Sequence, residues 1–252
     1  MRLIYLLRFF LFIRYFFHKI SRTGSFSPRH RVDFITEPTP SKAGSLKELL
    51  HHYHIKQYHE SSCSVASVAA AVNALAHRQG TPFNPPLTQQ DLLATVKAAH
   101  WKARMEPEGH NGRRGLPLSL LGKVVKDSLE THGIAHTRVE IIQAPAPKSL
   151  EAQATRRRLK SLMTGFETTG DCLLLAHFDQ GRFIRELNIP HISPVGGYHA
   201  DTGQVTILDV DPGLPHPYEI SFSTFYRGIG EGYANLFRFF GYGRGGCVVI
   251  HL

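Results

Sequence analysis

With 252 residues, 42% of them hydrophobic and 19% charged, the chain can bury a core for one sizeable domain, which excludes a wholly disordered protein. Seven of its 29 basic residues and none of its 20 acidic ones fall within residues 1–31. The remainder carries 22 basic against 20 acidic residues, a net of +2 out of the total +9. A nucleic-acid surface on the main domain is therefore not implied.

Residues 1–20 are dense in Leu, Ile, Phe and Tyr, but Arg8 and Arg14 break the apolar run into Leu3–Leu7 and Phe9–Ile13. A spanning helix needs about 20 apolar residues in succession. A secretory leader needs a shorter run followed by small residues. The segment fits neither, and membrane association is expected: as an interfacial helix, a signal anchor whose arginines snorkel, or a presequence. The plain alternative is a helix packed on its own domain. The location thus stays open between membrane-associated and cytoplasmic. Residues 21–45 are rich in Ser, Pro, Thr and Gly and read as a linker. Residues 1–44 are therefore set apart as a basic, apolar segment with its linker, and the main domain is placed at 45–252.

Helices dominate the first half of that domain. Leu46, Leu49 and Leu50 mark a short one over 45–53. Val65, Val68, Ala69, Val72 and Leu75 form an apolar stripe that predicts a helix over 61–77, with Ser61 and Ser62 as cap candidates. Thr88 is placed to cap a helix reaching Ala99, and Leu116–Leu129 reads as another beyond the polar loop Gly109–Gly115. The second half changes character. Thr137–Ile142 alternates like a strand, and residues 150–164 are helical with Arg156, Arg157, Arg158 and Lys160 on a solvated face. Cys172–His177, Ser193–His199, Gln204–Val210 and Gly246–Leu252 read as strands. Helices followed by strands predict an α+β fold with an antiparallel sheet rather than an alternating parallel one. No repeat, GxGxxG or P-loop pattern is present.

Three cysteines without a CxxC pair argue against a disulfide framework or zinc knuckle. Cys172 and Cys247 read as core-facing strand positions. Cys63 falls in the first turn of a helix, where unpaired amides and the helix dipole stabilise an anion and a thiolate is the nucleophile. A small buried cysteine is the alternative reading. Histidine is the usual base for such a nucleophile. His191 stands 128 residues after Cys63, close to the spacing of roughly 130–150 in papain-type enzymes. His191 enters one predicted strand and Asp209 ends the next, so antiparallel pairing could join them. Gln57, six residues before Cys63, supplies an amide for an oxyanion hole with the Cys63 N–H. The spacing of His51, His52, His54 and His59 fits no standard ligand pattern, and no metal site is expected there.

The stretches Gln57–Leu75 (QYHESSCSVASVAAAVNAL), His191–Tyr198 (HISPVGGY) and Ile207–Val210 (ILDV) resemble phytochelatin synthases, members of the papain-like cysteine peptidase superfamily. The resemblance runs from about residue 45 onward, without the Cys-rich region found in plant members. It implies a papain-like fold, Cys63 as nucleophile, His191 as acid and base, Asp209 as orienting carboxylate and Gln57 as oxyanion donor. It implies cleavage of the Cys–Gly amide of glutathione through a γ-glutamylcysteinyl thioester, with transfer to a second glutathione or to water. No cofactor is implied for acylation; a heavy-metal ion such as cadmium, or its glutathione thiolate, would be activator or co-substrate. Relatives also suggest a homodimer.

Two departures stand out. Ser64 replaces the usual Gly after the nucleophile and would alter how substrate packs. Asp211–His216 lacks the basic and aromatic residues that plant members place there for the second substrate. Arg244, and more weakly Arg182 and Arg185, are the candidates for gripping a substrate carboxylate. Competing readings are a papain-like peptidase with another substrate and an inactive membrane-tethered binding protein.

Overall fold

The computed structural model describes residues 2–21, 32–37, 42–184, 189–233 and 241–252. Eight α-helices lie among these residues: α1 (Arg2–Ser21), α2 (Leu46–His52), α3 (Cys63–Arg78), α4 (Gln89–Thr95), α5 (Trp101–Met105), α6 (Leu118–Thr131), α7 (Glu151–Thr168) and α8 (Phe222–Gly230). Seven strands, β1 (Asp33–Phe34), β2 (Arg138–Gln143), β3 (Cys172–Asp179), β4 (Pro190–His199), β5 (Gln204–Ile207), β6 (Tyr218–Ser221) and β7 (Gly246–His251), form one antiparallel sheet in the order β1-β6-β5-β4-β3-β7-β2. The architecture is the expected α+β.

Helix α3 is the seam between the two halves. Every residue from Cys63 to Ala76 is buried, so it has no solvated face. Six alanines between positions 66 and 76 keep its girth small and let it approach β4 closely. Ser67 Oγ lies 2.8 Å from the Cys63 carbonyl and 3.0 Å from the Ile192 carbonyl, which pins the start of α3 to the start of β4. Asn73 bonds the Ala69 and Leu87 backbones at 2.9–3.0 Å and holds the loop that follows.

The interior strands β3 and β7, each paired on both edges, are buried along nearly their whole length, which is why their sequence is a continuous apolar run rather than an alternation. Cys172 and Cys247 sit within them as core residues, and burial pushes each thiol up to about 12.

Several local expectations are corrected. Thr88 caps α4 through a reciprocal box with Asp91, but the helix stops at Thr95, where Val96 turns extended and Ala99 and His100 adopt positive φ. Ser62 occupies the cap position of α3 without capping it. The basic run of α7 is not simply solvated. Arg156 stacks 4.4 Å over the Tyr226 ring, Lys160 lies 4.9 Å over Phe222, and Arg158 pairs with Glu140 at 2.5 Å. Helix α8 has aromatic, β-branched and Gly residues of low helix propensity. It forms because Ser221 caps it (3.2 Å to the Thr224 N–H) and because Phe222, Phe225, Tyr226 and Ile229 are buried.

Candidate active site

Cys63 opens α3 and is 8% exposed. The hydroxyl of Ser62 turns backwards, donating to the His59 carbonyl at 2.9 Å and accepting from its N–H at 3.1 Å. No side chain therefore caps the first turn of α3. The Val65 and Ala66 N–H groups bond the Ser62 carbonyl, and the N–H groups of Cys63 and Ser64 at the very start of the helix favour an anion beside the sulfur.

His191, the second residue of β4, is 4% exposed and faces Phe178 across the β3–β4 ladder, ring edge to ring face at 5.5 Å. Its Nε2–H donates to Asp209 Oδ1 at 2.8 Å, and the Cys63 thiol is hydrogen-bonded to the same ring. Burial disfavours charge on the imidazole. The Asp209 carboxylate and the Cys63 sulfur outweigh that and raise His191 to about 10. Burial also opposes ionisation of Asp209, but His191, the Asp211 N–H and the Tyr218 hydroxyl hold the carboxyl down at about 2. The three side chains placed together by sequence reasoning are thus in one hydrogen-bonded line.

Asp209 follows β5, where the Leu208 N–H still pairs with the Pro194 carbonyl at 3.0 Å. Its carboxylate is fully used. Oδ1 takes His191 and the Asp211 N–H (2.9 Å), and Oδ2 takes the Tyr218 hydroxyl (2.8 Å) and Gln180 Nε2 (3.4 Å). Gln180 also donates to Asp211 at 3.1 Å. The main-chain carbonyl of Asp209 accepts from His54 Nε2 at 3.1 Å and Lys56 Nζ at 2.7 Å. The next carbonyl, of Val210, accepts the Gln57 N–H at 2.8 Å. Segment 54–57 therefore grips the loop carrying the carboxylate and sets Gln57 beside it. Burial and the neighbouring Lys56 push His54 down to about 4, so it stays neutral. Gln57 is 8% exposed, and its Oε1 is buried without a hydrogen-bond partner.

A second buried cluster adjoins the thiol. His177 on β3 bonds the Leu116 carbonyl at 3.0 Å through Nε2 and the Tyr233 hydroxyl through Nδ1. Burial drives it down to about 4. Tyr242 donates to the Arg114 carbonyl at 3.1 Å. Burial raises the Tyr233 and Tyr242 phenols. Neither tyrosine, nor Tyr218, His177 or Gln180, was singled out by the sequence reading. They lie outside the matching motifs, and only the topology brings them in.

The expected substrate-binding residues fare differently. Ser64 is fully buried, accepts from Trp101 Nε1 at 3.0 Å and lies 3.9 Å from Met105 Sδ. Its hydroxyl belongs to the α3–α5 packing, because a residue one position along a helix turns about 100° away. Arg182 already bridges two protein carboxylates, Glu231 at 3.0 Å and Asp179 at 3.7 Å. Arg244 is exposed, and its charge is felt by Tyr226 and Glu151. Arg185 lies outside the described residues. Among the described residues no cluster of three or more His, Cys, Asp or Glu is arranged to hold a metal.

An α+β domain with a buried cysteine at a helix start, bonded to a histidine that is itself held by a carboxylate, has the parts of a cysteine-nucleophile site. The sequence profile of the family described as phytochelatin synthase matches residues 34–230. The chain belongs to that family. It is also 27% identical over 163 residues to "Glutathione gamma-glutamylcysteinyltransferase 1" of Triticum aestivum, a match that covers 63% of this chain and 27% of that protein.

Proposed function

We propose that residues 45–252, with β1 added at one edge of their sheet, form a papain-like catalytic domain that cleaves the Cys–Gly amide of glutathione. The hydrogen-bonded line Cys63–His191–Asp209 carries this reading, and the wheat relative's name supplies the substrate.

In the proposed reaction the Cys63 thiolate attacks the carbonyl carbon of the Cys–Gly amide. The developing oxyanion is held by the Cys63 N–H and the Gln57 side-chain amide. The C–N bond breaks as His191 gives its proton to the leaving amine, and glycine departs. The γ-glutamylcysteinyl group stays on Cys63 as a thioester. An acceptor then gives a proton to His191 and attacks the thioester carbonyl, and the C–S bond breaks to release the Cys63 thiolate. Asp209 holds the ring so that one nitrogen faces the sulfur throughout. Arg244 is the cation proposed for the γ-glutamyl carboxylate.

The acceptor is a second glutathione, giving a phytochelatin, or water, giving γ-glutamylcysteine. Water is favoured by the turn after Asp209. Asp211 is buried and turned to Gln180, while Pro212, Gly213, Pro215 and His216 are exposed, so the turn offers no Arg, Lys or Tyr. Acylation requires no metal in this scheme. A heavy-metal ion such as cadmium enters as activator or as a metal–glutathione thiolate acceptor.

The test is incubation with glutathione, with and without cadmium, and product identification by mass spectrometry, with Cys63→Ala as control. Glycine and γ-glutamylcysteine indicate hydrolysis, and longer γ-Glu-Cys oligomers indicate transfer. Absence of glycine under both conditions sinks the proposal.

A further inference from the structure

We propose that α1 lies flat in the headgroup region of an anionic membrane, with its apolar side towards the acyl chains, and so seats the domain on a lipid surface. Leu6, Phe9, Ile13, Phe16, Phe17 and Ile20 are between 43% and 81% exposed. They recur at steps of three and four residues, which puts them on one side of the helix. Arg14 and Tyr15, on the other side, are half-buried. The charge of Arg14 reaches the buried carboxyl of Asp179 at the end of β3. The helix therefore turns Arg14 and Tyr15 to the domain and leaves its apolar side, with Lys19 beside it, to the surroundings.

An aromatic surface of this size, about 30 Å long for 20 residues, marks an interaction site. Charge identifies the occupant. Residues 1–31 hold seven basic residues and no acidic one, which attracts anionic headgroups. Pairing two copies through this face would bring two such cationic segments together. Nor does the helix have a spanning sequence: none in the described residues is long and apolar enough to cross a membrane. A helix with one apolar side, cations and aromatics is the kind that lies in the interface plane.

The test is co-sedimentation of the full chain with vesicles of phosphatidylcholine containing 30% phosphatidylglycerol and with pure phosphatidylcholine vesicles. The expected result is at least tenfold stronger binding to the anionic vesicles and release of the bound protein by alkaline carbonate. A Phe9→Ser/Ile13→Ser/Phe16→Ser/Ile20→Ser variant that melts like the wild type is expected to stay in the supernatant. If that variant does not fold, Ile20→Asp alone, at an 81% exposed position, replaces it, with at least threefold weaker binding expected. The proposal is overturned if the wild type ignores anionic vesicles, if the folded variant binds as the wild type does, or if carbonate fails to release the protein. It is equally overturned if light scattering finds a dimer that the substitutions abolish while vesicles bind nothing. None of these readouts depends on glutathione cleavage.

Discussion

The hydroxyl of Tyr218 donates to Asp209 Oδ2 at 2.8 Å, the same distance at which His191 meets the other oxygen of that carboxylate. The carboxylate thus has one oxygen for the His191 ring and one for a fully buried phenol. Without the phenol, Oδ2 keeps only the 3.4 Å contact from Gln180.

Tyr218→Phe is therefore expected to slow glycine release between about tenfold and a hundredfold, since a hydrogen bond to a charged group contributes roughly 1.5–3 kcal/mol. The loss is expected in kcat with KM for glutathione unchanged, because Tyr218 acts through Asp209. The His191 titration is expected to move up, because a carboxylate freed of the phenol's hydrogen bond holds the protonated ring more strongly, and the shift is read by the NMR signals of its ring carbons. An unchanged titration with lower activity would assign Tyr218 to packing alone.

Cys63→Ala is expected to abolish glycine release and leave the fold intact. The sulfur helps raise His191 towards about 10, so the imidazole of this variant is expected to titrate lower. The sign follows directly. A base raised in the folded state stabilises the fold fully below its unfolded value, and that stability is lost as pH rises through the folded value. The wild type is therefore expected to lose stability between about pH 6.5 and 10 more steeply than the variant, in denaturant melts across that range.

Ser64→Ala removes the acceptor of the Trp101 indole N–H. A buried donor left unpaired costs about 1–3 kcal/mol. Thermal melting is expected to fall accordingly while KM for glutathione is kept. A raised KM at unchanged stability would restore Ser64 to the substrate pocket.

Asp179 is pushed up to about 7, chiefly by burial, against the pull of Arg182 and Arg14. An acid raised in the folded state contributes most below its unfolded value, and the contribution is lost as pH rises through the folded value. Stability is expected to decline between about pH 4 and 7 on this account. Asp179→Asn, which can keep the acceptor for the Gly181 N–H, is expected to flatten that slope in melts at pH 5 and pH 7.5.

Much of the site was legible in the sequence because its parts sit where local rules speak. Cys63 follows from an apolar stripe and a helix start, and His191 and Asp209 flank the predicted β4 and β5. What supports them was not legible. Tyr218 and Gln180 reach Asp209 from strand ends whose pairing no short window encodes. Tyr233 and Tyr242 join the site through the fold's closure over β3. Ser64 follows Cys63 in the sequence, but one helical step carries its hydroxyl to Trp101, a partner that no local pattern shows. Arg182 was read from its charge, and the competing carboxylates Asp179 and Glu231 appear only in three dimensions.

The clasp between segment 54–57 and the loop of Asp209 has a consequence for biosynthesis. His54 and Asp209 are 155 residues apart. At roughly 5–20 residues per second, the ribosome delivers Cys63 many seconds before His191 and Asp209. During that interval the thiol is an ordinary side chain on a growing polypeptide. The proposed nucleophile meets His191 and Asp209 only when the later strands fold back onto the first helices, so on that proposal reactivity is timed by completion of the fold.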